Sequence, residues 1–200
     1  MTTAAAAAAT FSPASVTRLH AFPPFFTLQP VDASRATQLE AWGRLVLAFC
    51  AHRGQPRFAL GAPESLALFE NAALDPPRRL PEAGVRAVAE ALVAAGRAEW
   101  ADEAARSTLL VFVRPPAELA VRLEEFLRAR GATGISRLVD LRSDAALSDG
   151  TWRDSPCAGL DGLTALRVLE VLERDGKVDL DRGDEERPDP DSVQIVRFRP

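Results

Sequence analysis

Apolar residues recur at steps of three and four along several stretches of this chain, and each stretch predicts a helix with one buried face. Each stretch begins with a residue of a type that is common at the start of a helix. These residues are Asp32 or Ser34, Pro63, Pro81, Pro116 and Asp161. The inward-facing residues are Leu39, Trp42, Leu45, Val46 and Phe49 in the first helix, Leu66 and Phe69 in the second, Val85, Val88, Ala89, Leu92 and Val93 in the third, Leu119, Leu123, Phe126 and Leu127 in the fourth, and Ala165, Val168, Leu169 and Leu172 in the fifth.

Short apolar runs after two of these helices predict β-hairpins. The first hairpin pairs residues 98–100 with 108–113 around a polar tip, and the second pairs 177–180 with 193–198. A further short strand is expected near residues 135–138, followed by a polar loop.

The two halves of the chain repeat the same pattern of helix, glycine, strand, loop and a strand that ends in Arg-Pro. The two glycines, Gly96 and Gly176, lie 80 positions apart, and Gly96 suits a left-handed helix cap. We interpret each half as three helices and a hairpin, in the order of a winged helix. The sequence therefore predicts an α+β fold with two tandem winged-helix domains, at residues 21–114 and 115–200.

Residues 1–20 lack a periodic apolar face, and residues 4–9 are all alanine. This composition predicts a disordered tail. An organelle transit peptide is the alternative, since the segment has no acidic residue, but Arg18 is its only arginine.

The most unusual local feature is the run Phe22-Pro23-Pro24-Phe25-Phe26. Prolines restrict the backbone and remove amide donors, so we expect an extended, stiff segment that displays its aromatic side chains. Two interpretations stay open from the residues alone. The segment docks in a groove of a partner protein, or the aromatic side chains and Leu28 fold back on the first domain.

The small number of cysteines and histidines argues against catalysis. The chain has 200 residues, a net charge of −4, two cysteines and two histidines. We therefore predict neither a disulfide framework nor a metal site, and no catalytic residues or cofactor. Cys50 is expected to be a small core residue, and His20 to lie in the tail. No apolar run is long enough to span a bilayer, and neither a basic amphipathic helix nor a lipidation motif is present, so direct membrane insertion is not expected.

A nucleic-acid-binding winged helix is the alternative function, and the charge pattern opposes it. A DNA-binding winged helix needs a basic third helix and a basic wing. Here the third helix of the first domain carries Glu82 and Glu90 against Arg86, and the wing of the second domain is acidic over residues 181–191. We interpret this acidic run as a solvated tip.

With these residues in place, the chain resembles the vacuolar protein sorting-associated protein 25 family, the small subunits of the ESCRT-II complex. The resemblance runs from Phe22 to the end. The motifs that carry it are Phe22-Pro23-Pro24-Phe25-Phe26-Thr27-Leu28-Gln29-Pro30, Gln38-Leu39-Glu40-Ala41-Trp42, Leu45-Val46-Leu47-Ala48-Phe49-Cys50, Leu80-Pro81, Ala98-Glu99-Trp100, Arg114-Pro115 and Gly159-Leu160-Asp161. The long alanine-rich tail and the acidic insertion at 181–191 depart from the family pattern.

The resemblance implies a non-enzymatic scaffold with two tandem winged-helix domains. It assigns Pro23, Pro24, Phe25 and Phe26 to a docking contact on the two larger ESCRT-II subunits, vacuolar protein sorting-associated proteins 22 and 36. It implies two copies of the chain in a Y-shaped heterotetramer. It also implies that the second domain recruits an ESCRT-III subunit, vacuolar protein sorting-associated protein 20. The expected setting is the cytoplasm, with recruitment to endosomal membranes, where ubiquitinated cargo is sorted into multivesicular bodies.

Overall fold

In the computed structural model of the chain, the described residues are 11–131, 136–143, 154–183 and 193–199. The chain divides into two compact units, Met1–Val113 and Arg114–Pro200. This division falls one residue before the boundary expected from the sequence. Each unit has a hydrophobic core of its own.

The first unit contains a short N-terminal helix and the three helices of a winged helix. Their bounds are Pro13–Val16 (α1), Asp32–Arg53 (α2), Pro63–Leu68 (α3) and Glu82–Ala94 (α4). The predicted apolar stripes face inward, because Trp42, Leu45, Val46, Val85, Val88, Ala89 and Leu92 are all buried.

Helices α2 and α4 pack closely at Gly43. A methyl group built there would lie 3.2 Å from the Leu92 side chain, so a larger residue at this position would crowd the contact. This packing holds α4 against the long helix that anchors the N-terminal segment.

The wing of the first unit is a three-stranded antiparallel sheet. Its strands are Arg57–Ala59 (β1), Ala98–Trp100 (β4) and Thr108–Val111 (β5), in the order β1-β5-β4 across the sheet. The hairpin was predicted. Strand β1 was not predicted, and neither was a two-residue ladder between Glu70–Asn71 (β2) and Arg78–Arg79 (β3).

The second unit repeats this topology. Its helices are Pro116–Ala129 (α5), Leu138–Arg142 (α6) and Gly162–Arg174 (α7), and its strands are Ser136–Arg137 (β6), Val178–Asp181 (β7) and Gln194–Phe198 (β8), in the order β6-β8-β7. Asp161 caps α7, since its carboxylate accepts a hydrogen bond of 2.9 Å from the Thr164 amide. Helix α6 completes the three helices of this half, in a segment expected to be a loop. The α+β class with two tandem winged helices is confirmed.

The predicted helix ends also appear where expected. Gly96 and Gly176 have φ angles of +63° and +71°, which side chains with a Cβ rarely adopt. Each turns the chain from a helix into the first strand of a wing.

The prediction of a disordered tail is wrong for residues 11–20. Helix α1 and a 3₁₀ turn at Arg18–Ala21 lie in this stretch. Phe11 packs edge to face on Phe49 at 5.4 Å between ring centroids. The sequence analysis missed this order because it depends on side chains that are apolar but not periodic. The alanine run at residues 4–9 lies outside the described residues, as does most of the acidic insertion at 181–191.

Candidate docking site

The Pro-Pro-Phe-Phe segment is a 3₁₀ turn at Pro23–Phe26, not the extended rod expected from its prolines. Proline fixes φ near −65°, a value that 3₁₀ and extended backbone share, so the sequence left this choice undecided. The turn is closed by hydrogen bonds from the Phe25 amide to the Phe22 carbonyl, at 2.9 Å, and from the Thr27 amide to the Pro24 carbonyl, at 3.2 Å. The turn leaves its two prolines exposed and its two phenylalanines buried.

The inward face of the turn consists of the two phenylalanines. Phe25 and Phe26 are each only 3% exposed, and both pack on Trp42 of α2, which is fully buried. The Phe25 ring stacks on the Trp42 indole at 4.2 Å with an angle of 10°, and the Phe26 ring meets it edge to face at 5.4 Å. The expectation that this segment displays both aromatic side chains is therefore wrong, and these two fold back on the first unit.

Polar side chains of α2 fix the backbone of the turn. The Gln38 amide donates hydrogen bonds to the carbonyls of Phe25, at 2.7 Å, and Thr27, at 2.9 Å. The Trp42 indole N–H donates to the Phe25 carbonyl at 3.2 Å. Because Gln38 is buried, these bonds form away from water, where leaving their acceptors unpaired would be costly. The turn is therefore held from inside by both apolar packing and hydrogen bonds.

His20 braces the residues that precede the turn. It was expected in the tail, but its side chain is buried, and its Nε2 donates to the Leu68 carbonyl at 3.2 Å. Its ring packs edge to face on Phe26 at 5.3 Å. The Asn71 side-chain amide donates to the His20 carbonyl at 2.7 Å. These contacts connect the first 3₁₀ turn to α3 and β2.

The burial of His20 predicts that stability depends on pH. Burial lowers the pKa of His20 below its ordinary 6.5, although the bond to the Leu68 carbonyl partly opposes this. The unfolded chain then binds a proton at higher pH than the folded chain does. The free energy of unfolding is therefore expected to decrease as the pH falls through 6.5, and to level off below the folded-state pKa.

Urea unfolding of the wild-type chain and of His20→Gln, followed at several pH values on either side of 6.5, measures this effect. Glutamine keeps an amide donor but does not titrate, so the variant should lose part of the decrease. Carboxylates titrate equally in both proteins and cancel in the comparison. An identical pH dependence in the two proteins would contradict the assignment to His20.

The outward face of the same turn is apolar and exposed. Phe22 is 54% exposed, and Pro23 and Pro24 are exposed beside it. Leu19, in the preceding 3₁₀ turn, is also exposed, and its carbonyl accepts a 2.8 Å hydrogen bond from the Phe22 amide. We call Leu19, Phe22, Pro23 and Pro24 the outer patch. A cluster of exposed apolar residues on a fixed backbone is typical of a protein-binding surface.

The four predicted site residues therefore lie in two different environments. Pro23 and Pro24 lie in the outer patch, whereas Phe25 and Phe26 lie in the core beneath it. The roles of Gln38, His20 and Asn71 were not predicted, because their long-range hydrogen bonds leave no periodic signal in the sequence. The position of Gln38 four residues before Trp42, on the same helical face, was the one available hint.

The cysteines show no feature of a catalytic site. Cys50 and Cys157 are both buried, and burial raises the pKa of each thiol to about 12. A nucleophilic thiol requires the opposite shift. Among the described residues, no three His, Cys, Asp or Glu side chains are grouped so that they could hold a metal ion, and no helix is long and apolar enough to cross a membrane.

In the second unit, the acidic residues of α7 are paired with arginines. Arg182 contacts the Glu173 carboxylate with both terminal nitrogens, and these hydrogen bonds lower the pKa of Glu173. Arg167 pairs with Glu170 at 2.6 Å. Neighbouring side chains thus partly neutralise the negative charge of this helix.

The fold and this patch define a class: a tandem winged-helix protein with an exposed apolar patch on its first unit. The sequence matches the family model described as "ESCRT-II complex subunit" over residues 19–149. It is also similar to Vacuolar protein sorting-associated protein 25 of Arabidopsis thaliana, at 33% identity over 81% of this chain and 86% of that protein. The Homo sapiens protein of that name is 32% identical over 80% of this chain and 86% of its own length. The chain therefore belongs to the vacuolar protein sorting-associated protein 25 family of ESCRT-II subunits.

Solved structures show the same fold at low sequence identity. The crystal structure of subunit VPS25 of the endosomal trafficking complex ESCRT-II has a TM-score of 0.69 and 12% identity, over 94% of this chain and 100% of that one. A chain in the crystal structure of endosomal complex ESCRT-II (VPS22/VPS25/VPS36) has a TM-score of 0.60 and 14% identity, with the same coverage. The likeness extends over both winged helices.

Proposed function

We propose that this chain is a non-enzymatic scaffold that binds the two larger ESCRT-II subunits, vacuolar protein sorting-associated proteins 22 and 36, through its outer patch. The observation that carries this proposal is the two-sided 3₁₀ turn. Phe25 and Phe26 anchor the turn inside the first unit, which leaves Pro23, Pro24 and Phe22 available to a partner. The docking contact is thus made by the outward residues, and the two phenylalanines position them.

The alternative is that Phe25 and Phe26 leave the core and enter a pocket on the partner. Exposing two phenylalanine side chains would cost roughly 3–6 kcal/mol before any new contact formed. It would also break the bonds from Gln38 and Trp42 to the Phe25 carbonyl. Docking through the outer patch avoids this cost, and the fixed turn loses little conformational entropy on binding. The outer patch is therefore the favoured contact.

The second unit has a different part in the proposed scaffold function. We assign to it the recruitment of an ESCRT-III subunit, vacuolar protein sorting-associated protein 20, in the cytoplasm at endosomal membranes. The family resemblance supports this assignment. The second unit also has a hydrophobic core of its own, separate from the core that holds the 3₁₀ turn at Pro23–Phe26. Two copies in each complex would present two such recruiting units to one membrane, for sorting ubiquitinated cargo into multivesicular bodies.

Phe22→Ser tests the docking contact. The side chain is 54% exposed, so its removal should leave the first unit folded. Burial of the exposed part of a phenylalanine contributes about 1–2 kcal/mol, so we expect the Kd for the complex of the two larger subunits to rise about tenfold. Isothermal titration calorimetry against that complex measures the change. Mass measurement of the assembled wild-type complex counts the copies of this chain.

Val121→Ser is the matched control. Val121 is 58% exposed on α5 of the second unit, so this change also removes an exposed apolar side chain, but one that does not belong to the outer patch. Its Kd should equal that of the wild-type chain. Equal Kd values for Phe22→Ser and Val121→Ser would reject the outer patch, and a single copy per complex would reject the proposed stoichiometry.

A further inference from the structure

An open pocket of about 520 Å³ lies in the first unit, between the start of α4 and the turn that connects β4 to β5. Its apolar lining is formed by Leu60, Leu66, Leu80 and Val85. Leu80 and Val85 are buried, and the two other leucines are half-buried. A volume of this size suits a few side chains of a peptide, because ligand pockets commonly measure about 300–1,000 Å³. No residue of the outer patch lines this pocket.

The rim of the pocket is basic, although the whole chain is acidic. Three arginines, Arg79, Arg86 and Arg106, line it together with a single carboxylate, Glu82. All four of these residues are exposed. An apolar floor beneath an excess of guanidinium groups favours a ligand that combines an apolar group with negative charge.

Two of these arginines are already held in place by the fold. Arg79 pairs with Glu70 at 3.2 Å, directly across the β2–β3 ladder. Arg106 pairs with Glu103 at 3.2 Å, and its guanidinium lies 6.0 Å from the centre of the Trp100 ring. Exposed ion pairs contribute at most about 1 kcal/mol, so both guanidinium groups keep donors available for an incoming carboxylate.

Arg86 is different, because it has no ion pair or hydrogen-bond partner in the described part of the chain. It lies one turn after Glu82 on α4, yet the two side chains form no ion pair within 4.0 Å. Arg86 is thus an exposed arginine beside an apolar pocket, and no ion pair within 4.0 Å among the described residues neutralises its positive charge. A partner carboxylate would neutralise this charge.

We propose that this pocket binds a short peptide segment of a partner protein in which a large apolar side chain is flanked by acidic residues. The apolar side chain enters between Leu66, Leu80 and Val85, and the neighbouring carboxylates pair with Arg86 and the other two arginines. The surface is separate from the outer patch and gives the first unit a second partner-binding site.

A duplex nucleic acid is the competing occupant of a basic surface on a winged helix. A duplex carries a phosphate about every 1.7 Å of its axis, so it would bring negative charge onto Glu82 and Glu90 as well as onto Arg86, whereas a short peptide can place its carboxylates beside the arginines alone. The apolar floor also has no counterpart in a phosphate backbone. The lining therefore favours the peptide over the duplex.

Selection from a random 12-residue peptide library on the full-length chain tests the proposal. We expect enrichment of sequences in which Leu, Ile or Phe lies within about two positions of Asp or Glu. A fluorescein-labelled consensus peptide then gives the Kd by anisotropy. The Kd should rise about tenfold or more in Arg86→Glu, which reverses a charge-assisted contact without touching the core. Replacing the apolar residue of the peptide by serine should abolish binding.

Arg122→Glu is the matched control, since it makes the same charge change at an exposed position of the second unit and should bind the peptide normally. Phe22→Ser should also bind it normally, which separates this proposal from the docking contact. The proposal fails if no sequence is enriched, if the enriched sequences lack acids, or if Arg86→Glu binds as tightly as Arg122→Glu. It also fails if the chain binds a labelled 20-base-pair duplex at about 0.15 M salt and Arg86→Glu abolishes that binding.

Discussion

Replacing Phe25 and Phe26 together by alanine is expected to unfold most of the first unit. Both side chains are buried on Trp42, and truncating a buried phenylalanine to alanine costs about 3–5 kcal/mol. The two losses interact because the rings touch the same indole, so they need not add. Even one of them is a large part of the 5–15 kcal/mol that stabilises a typical domain. The family resemblance assigned both side chains to a docking contact, whereas their burial makes them part of the core on which the first unit depends.

Hydrogen exchange measured by mass spectrometry distinguishes the two outcomes. In the double variant, exchange should rise throughout α2, α3 and α4, whereas Phe22→Ala should leave it unchanged, because its side chain is exposed. Normal protection of α2 in the double variant would show that these rings do not hold the turn. Loss of docking in that variant would then indicate direct contact with a partner.

Leu123→Ala is expected to destabilise the second unit by about 2–5 kcal/mol, because Leu123 is fully buried within the core formed by α5 and α7. The functional consequence follows from the proposed division of roles. The variant should still bind the two larger ESCRT-II subunits through the outer patch. It should lose most of its binding to vacuolar protein sorting-associated protein 20.

Pull-down of each partner by the full-length variant measures the two bindings separately, and thermal unfolding reports the stability. Val121→Ala is the control, since it truncates an exposed residue on the same helix and should change neither stability nor binding. Undiminished recruitment by a Leu123→Ala chain whose second unit is unfolded would remove the recruiting role from this unit. Loss of both bindings would contradict the division of roles.

Much of the fold could be predicted from the sequence because its signals are local. The stripe from Trp42 to Phe49 predicted α2, and the spacing of Gly96 and Gly176 predicted the repeated wings. Strand β1 and helix α6 were missed for a physical reason. Both are short, and β1 exists through its pairing with β5, which lies about fifty residues further along the chain. A partner so distant in sequence leaves no periodic pattern in the strand itself.

The sequence by itself determined the architecture and the family, and it singled out the Pro-Pro-Phe-Phe segment, because periodicity, helix ends and motifs depend on neighbouring residues. Only the tertiary structure decided which side of that segment faces outward. Proline fixes φ but not ψ, so the same residues suit an extended strand or a 3₁₀ turn. The stacking of Phe25 on Trp42 and the hydrogen bonds from Gln38 select the turn, and these contacts cross 17 and 13 positions of the chain. The arginines around the pocket likewise come from β3, α4 and the β4–β5 turn, and only folding brings them together.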